Sequence, residues 1–135
     1  MLHVERFCST ITERGRSKII EDYNAKTIEV DEALLILTSV EKQDEANQDK
    51  ISEKAVDEIS KLARKLKVKV IVLHPFAHLF ADMSSAEVAL ETLKLMEIRL
   101  NKNGFKVVRT PFGWFNTLEL KAKGHPLSRV ARTIY

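Results

Sequence analysis

Between residues 33 and 73 the apolar pattern changes its period twice, and no other feature restricts the fold as strongly. Residues 33–40, Ala-Leu-Leu-Ile-Leu-Thr-Ser-Val, form a nearly continuous apolar run, the mark of a strand covered on both faces. In residues 51–67 the apolar positions Ile51, Ala55, Ile59, Leu62 and Leu66 instead recur at three- and four-residue spacing, with Lys and Glu between them. That spacing predicts a helix with one buried stripe. Residues 68–73 return to a β-branched run. Strand, helix, strand in this order predicts a right-handed crossover between parallel neighbours. The fold class is therefore α/β, a mixed β-sheet packed with helices.

The remaining elements follow from local signals. Residues 2–7 read as a first strand, residues 8–26 are polar and poorly patterned, and residues 27–30 add a short strand. Ser84 with Glu87 fits a capping box opening a helix over residues 85–103, which Gly104 ends. Residues 105–109 and 117–122 read as strands around the Pro111-Phe112-Gly113 turn. Pro126 suits the first turn of a short closing helix over residues 127–131. At 135 residues the chain fits one compact domain, residues 1–135, and is too short for two.

Composition narrows the class of function. No apolar run approaches the roughly 18 to 20 residues of a membrane helix, so a soluble protein with no membrane partner is expected. A lone cysteine, Cys8, and an opening segment without secretory features point to the cytoplasm. The net charge of +3 is mild but uneven. Residues 41–58 are rich in Asp and Glu, whereas residues 102–132 carry many Lys and Arg against the single Glu119, a balance that attracts phosphates or simply keeps solvated faces basic.

Three turns hinged on proline or glycine follow apolar runs: residues 72–78, 110–114 and 123–127. They are predicted to bring backbone amides, aromatic rings and imidazoles to one rim of the sheet, where α/β domains bind ligands. His78 follows a strand and precedes a helix, as a ligand group or as a capped loop histidine. His74 and His78 have the spacing of a helical zinc pair, but Pro75 disfavours a helix there, and no metal or other cofactor is expected. His125 suits either a phosphate or a structural role. Ser39, with Glu41 and Lys42 beyond it, lines a pocket or closes a strand-end turn. Trp114 and Phe115 stack on a base or edge the core. Neither a P-loop nor a dinucleotide glycine fingerprint occurs.

Four stretches taken in order, Thr38-Ser39-Val40-Glu41-Lys42, Pro75-Phe76-Ala77-His78-Leu79, Thr110-Pro111-Phe112-Gly113-Trp114-Phe115 and Lys123-Gly124-His125-Pro126-Leu127 with Arg132-Thr133-Ile134, resemble the archaeal threonyl-tRNA synthetase N-terminal editing domain. The resemblance covers residues 2–134. It implies a fold related to D-aminoacyl-tRNA deacylases, usually a homodimer, and hydrolysis of serine wrongly esterified to the acceptor end of tRNA(Thr). It fits an excised domain or a freestanding protein working beside a separate synthetase chain. Ser39, Val40, Glu41, Lys42, Pro75, Phe76, Ala77, Phe112, Gly113, Trp114 and Phe115 then surround the aminoacyl-adenosine. His78, the substrate's ribose hydroxyl and backbone amides of residues 39–41 and 112–114 act on the ester, with Asn116 or Lys121 assisting.

The chain departs from the family pattern at three positions: Asn116 stands where a lysine follows the two aromatics, Phe115 where tyrosine is common, and Arg129 in place of a glutamate. These departures keep two alternatives open, a non-catalytic module binding tRNA or the synthetase, and a D-aminoacyl-tRNA deacylase.

Overall fold

The structure, a computed structural model, describes residues 1–135. Its elements run β1 (Leu2–Arg14), β2 (Thr27–Val30), β3 (Ala33–Thr38), α1 (Gln48–Leu66), β4 (Val70–Pro75), α2 (Ala86–Lys102), β5 (Lys106–Arg109) and β6 (Trp114–Ala122), with 3₁₀ turns at Lys42–Asn47 and Ala77–Leu79. β3, β4 and β5 are parallel neighbours, with Leu34 opposite Ile71 and Ile71 opposite Val107. The parallel pairing of β3 with β4 is the one the two changes of period predict. β1 runs antiparallel to β3 through residues 2–4 and to β2 through residues 7–10, and β6 lies antiparallel along its other edge.

Both faces of this mixed sheet are covered. On one, Leu34, Ile36, Ile71 and Leu73 meet Val56, Ile59 and Ala63 of α1 and Met96 and Leu100 of α2. On the other, Leu35 and Val72 meet Val4 and Phe7, because β1 curls back until the Phe7 ring stands edge-on to His74 with centroids 6.1 Å apart. Leu34 and Leu35 are both fully buried, one to each face, which is why the β3 run shows no alternation. Each such side chain stabilises the fold by roughly 1.5–3 kcal/mol over its exposed state.

Several elements differ from expectation for identifiable reasons. β1 continues to Arg14 through residues expected to be unpatterned, because Phe7, Ser9 and Ile11 all point inward and a polar Ser9 breaks the apolar alternation. The buried face of α1 is Ser52, Val56, Ile59, Ser60 and Ala63, so only Ile59 of the expected stripe is fully buried. Ala55, Leu62 and Leu66 pack half-buried beside it. Serines fit the core because Ser52 Oγ donates to Asp49 O at 2.8 Å and Ser60 Oγ accepts from Asn103 at 3.1 Å.

At α2 the capping role falls to Ser85, whose hydroxyl accepts from Val88 N at 3.3 Å. Ser84 lies outside the helix, held by its amide on Val40 O at 3.0 Å. Gly104, with φ +94°, follows the helix end as expected. The closing helix over residues 127–131 does not form. Ser128 closes one turn on His125 O, after which Val130 N donates to Met1 O at 2.9 Å and Arg129 bridges Leu2. Met1 and Leu2 take the backbone groups a helix would have used.

Candidate active site

Parallel strands end together, so the turns after β3, β4 and β5 share one rim about 10 Å across at the usual strand spacing of ~4.8 Å. The first two are laced to each other. Phe76 N donates to Thr38 O at 2.8 Å, Ser39 Oγ to Ala77 O at 3.3 Å, and Lys42 N to Asp82 O at 3.0 Å. His78 lies exposed in this lacing at φ −91°, ψ 20°, the sparsely populated bridge region common among active-site residues. Phe76, at 37 % exposure, and Leu79 and Phe80, at 40 % and 55 %, leave apolar surface open around it.

The third turn starts where Thr110 N donates to Leu73 O at 3.0 Å, and it is fixed from outside by residues 15–23. Gly15 N donates to Gly113 O at 2.9 Å. The Glu21 carboxylate accepts from Phe112 N at 2.8 Å and from both Arg109 terminal nitrogens at 2.5 and 2.9 Å. Trp114 Nε1 donates to Glu21 O at 2.6 Å, and Tyr23 stands edge-on to the indole. Gly113 has φ +91°, and a Cβ there would lie 2.5 Å from Ile19 O, so only glycine lets the two segments touch.

Burial alone would raise the Glu21 pKa, but the Arg109 guanidinium and the Phe112 amide outweigh it and hold the carboxyl below its ordinary range. Arg109 is pushed up by the same partnership and by Glu97 at 2.6 Å. Sequence reasoning missed Glu21. The available signal was Arg109 itself, a guanidinium in a strand beside Val107 and Val108, because a cation buried there needs a carboxylate.

The structure distributes the expected site residues unevenly. Ser39, Val40, Pro75, Phe76, Ala77 and His78 converge on the rim. Glu41 and Lys42 stand beside it, with Lys42 paired to Glu45 at 2.9 Å. Phe112 is buried under α2 against Leu90 and Leu93, and the indole of Trp114 is tied down, so Phe115, 51 % exposed, is the open ring of this turn. Asn116 is half-buried near the start of β6, its amide donating to Trp114 O at 3.4 Å.

Two expectations need correction. Lys121 lies five residues along β6 from Asn116, an odd step that turns it to the opposite face about 17 Å away, where it pairs with Glu5 at 3.1 Å. Not all the expected amides are free: Glu41 N donates to Asp44 at 2.9 Å and Phe112 N to Glu21, leaving Ser39, Val40 and Gly113 without an intramolecular acceptor.

The other histidines serve the fold. His74 is buried, hydrogen-bonded through Nδ1 to Thr110 Oγ1 at 2.9 Å, and burial pushes its pKa down to about 4. His125 shares a 2.8 Å hydrogen bond with His3 and accepts from Leu127 N, while His3 also meets Glu32. A cavity of about 490 Å³ lies between β3, α1 and residues 129–134 and touches the rim through residues 38–41, Leu79 and Phe80. It does not contain His78, Phe115 or Asn116. The candidate site is the rim, where the polar groups converge, rather than this mainly apolar space; Phe115, one residue from Asn116, faces with Lys121 to the other side of β6.

Residues 1–134 match the archaea-specific editing domain of threonyl-tRNA synthetase. The chain belongs to that family. It is 45% identical over 122 residues to a threonine–tRNA ligase of Methanopyrus kandleri, covering 90% of this chain and 20% of the relative. A threonine–tRNA ligase of Thermococcus kodakarensis is 45% identical over 109 residues, 81% of this chain and 17% of the relative. That of Methanocaldococcus jannaschii is 42% identical over 121 residues, 90% and 20%. The chain thus spans about a fifth of the length of the curated relatives it matches. No helix of this editing domain is long and apolar enough to cross a membrane.

Proposed function

We propose that this editing domain hydrolyses the ester of L-seryl-tRNA(Thr), releasing serine and tRNA(Thr). The observation that carries the reading is the meeting, on one rim, of the turns holding Ser39 and Val40, Ala77 and His78, and Gly113 to Asn116, in a chain of the editing-domain family. The need for the reaction is physical. Threonine exceeds serine by one methyl group, and binding discriminates one methylene only about 10- to 200-fold, so a synthetase requires a second sieve.

An aminoacyl ester is already activated, and the demands on the protein are modest. A water attacks the ester carbonyl, the carbonyl oxygen takes up negative charge, and collapse of the tetrahedral adduct expels the ribose oxygen, which regains a proton. The free amides of Ser39 and Val40 are suited to the oxyanion. His78, with the neighbouring ribose hydroxyl, orients and deprotonates the water. Asn116 orients that water as a neutral amide in place of a cation, and the distant Lys121 takes no part. The acceptor end of tRNA(Thr), a second copy of the chain as homodimer and a separate or fused synthetase chain are the partners that follow, in the cytoplasm.

His78→Ala tests the assignment. Loss of a general base costs typically 10²- to 10⁴-fold, so deserylation is expected to fall at least about 100-fold with tRNA affinity unchanged. Full deserylation by the variant would remove His78 from the mechanism. Salt-sensitive tRNA binding by the wild type with no turnover would instead mark a binding module, the alternative favoured by Asn116 and Arg129.

A further inference from the structure

A cluster of unpaired cations lies at the end of the sheet opposite the rim. α1 and α2 both end there. Arg64 and Lys65 lie in the last turn of α1 and Lys102 in that of α2, Lys67 and Lys69 lead into β4, and Lys106 opens β5. Lys106 N donates to Lys69 O at 2.9 Å, which joins the two segments into one surface. All six side chains are exposed. No acidic residue occurs in residues 59–81 or 98–118.

These cations differ from others in the chain. Arg6, Lys121, Lys123 and Arg132 each stand within salt-bridge distance of a carboxylate. The six at this pole form no ion pair. Helix dipoles account for a cation in the last turn of a helix, which covers Arg64, Lys65 and Lys102. They do not account for Lys69 and Lys106, which lie beyond the helices and the Lys67 cap. Arg64 is held in place with its guanidinium 5.6 Å from the Phe105 ring centroid. A Cβ at Gly104 would meet nothing within 4 Å, so the middle of the surface is open to a bulky partner.

We infer that this pole is a docking surface for the phosphate backbone of RNA, holding the tRNA body while its aminoacylated end lies on the rim. β4 spans the distance between them, six residues or about 20 Å. The inference takes the identity of its polyanion from the proofreading reading above. Contacts to phosphates made by exposed lysines are sequence-independent and release counterions, so they set affinity and its salt dependence, not the chemistry at the ester.

The test compares two triple variants of equal charge change. Lys65→Gln/Lys69→Gln/Lys106→Gln removes half the pole, and Lys50→Gln/Lys54→Gln/Lys61→Gln removes three lysines of α1 that lie before its last turn. Affinity for uncharged tRNA(Thr) is measured from 50 to 200 mM salt, and deserylation separately, with thermal unfolding confirming that both variants fold.

Three lost phosphate contacts lower the salt slope by about 2.7 at ~0.9 per contact. The wild type is then expected to lose about 40-fold more affinity than the pole variant across that fourfold salt range. The pole variant raises KM for Ser-tRNA(Thr) and keeps kcat, and the α1 variant changes neither slope nor KM. Equal slopes in wild type and pole variant, or equal losses in both variants, would overturn the inference. A pole-dependent slope in a protein that deserylates nothing would uphold the docking surface and overturn the proofreading reading.

Discussion

Acidification should weaken this fold well before its carboxylates titrate, and His74 is the main cause. Its imidazole is buried between the Phe7 ring and Thr110, with a pKa near 4 against 6.5 in the unfolded chain. Above pH 6.5 both states are neutral there and the residue adds no pH dependence. Between 6.5 and about 4 the unfolded chain binds a proton that the native state refuses, so stability falls with decreasing pH. At ~1.4 kcal/mol per pKa unit, the full span is worth about 3 kcal/mol, a large part of the stability of a small domain. His74→Leu removes the titrating group while Thr110 Oγ1 keeps Leu73 O as an acceptor. Urea unfolding from pH 7.5 to 4.5 should show the wild type losing stability relative to the variant along this slope. His3, whose pKa is lowered by burial and by Lys123, adds a loss of the same sign in both proteins. Parallel curves for the two proteins would refute the assignment of the buried, neutral state to His74.

Other consequences concern the third turn. Glu21→Gln leaves Arg109 with Glu97 alone, and breaking a largely buried pair of this kind costs about 3 kcal/mol; thermal unfolding and faster amide exchange at Phe112 would show it, whereas an unchanged unfolding temperature would contradict it. Because Glu21 is held below its ordinary pKa, its contribution is complete above about pH 4.5 and disappears as pH falls through the folded value, so its acid loss begins where that of His74 ends. Gly113→Ala combines a left-handed φ with a clash against Ile19 O and is expected to cost at least ~2 kcal/mol and to raise KM, read by urea unfolding and steady-state deserylation. Asn116→Ala should lower kcat for deserylation while tRNA affinity, followed by filter binding, stays the same.

The layered core and two of the three expected rim turns were legible in the sequence because they rest on periodicity and on turn residues. The third, residues 123–127, sits instead at the start of β3, where Lys123 N donates to His3 O and the Lys123 side chain pairs with Glu32. The uninterrupted run of β3 and the stripe of α1 are backbone-period signals, and Pro75, Pro111 and Gly113 mark the turns without any tertiary information. What escaped depends on partners distant along the chain. Ser9, Ser52 and Ser60 are buried because particular hydroxyl partners exist, which no apolar count reveals. Residues 15–23 look featureless because their order comes from Arg109, Phe112 and Trp114, some ninety residues away. The expected closing helix failed for the same reason, as Met1 and Leu2 claim its backbone. Lys121 shows the complementary limit: its neighbourhood to the motif in sequence is real, but strand parity turns it away.

The most direct test of the whole account is ester loss from Ser-tRNA(Thr) and Thr-tRNA(Thr) incubated side by side with catalytic amounts of the wild-type protein. Proofreading at the rim predicts many turnovers of the seryl ester while the threonyl ester is largely spared. Equal survival of both esters, with tRNA still bound, would contradict it.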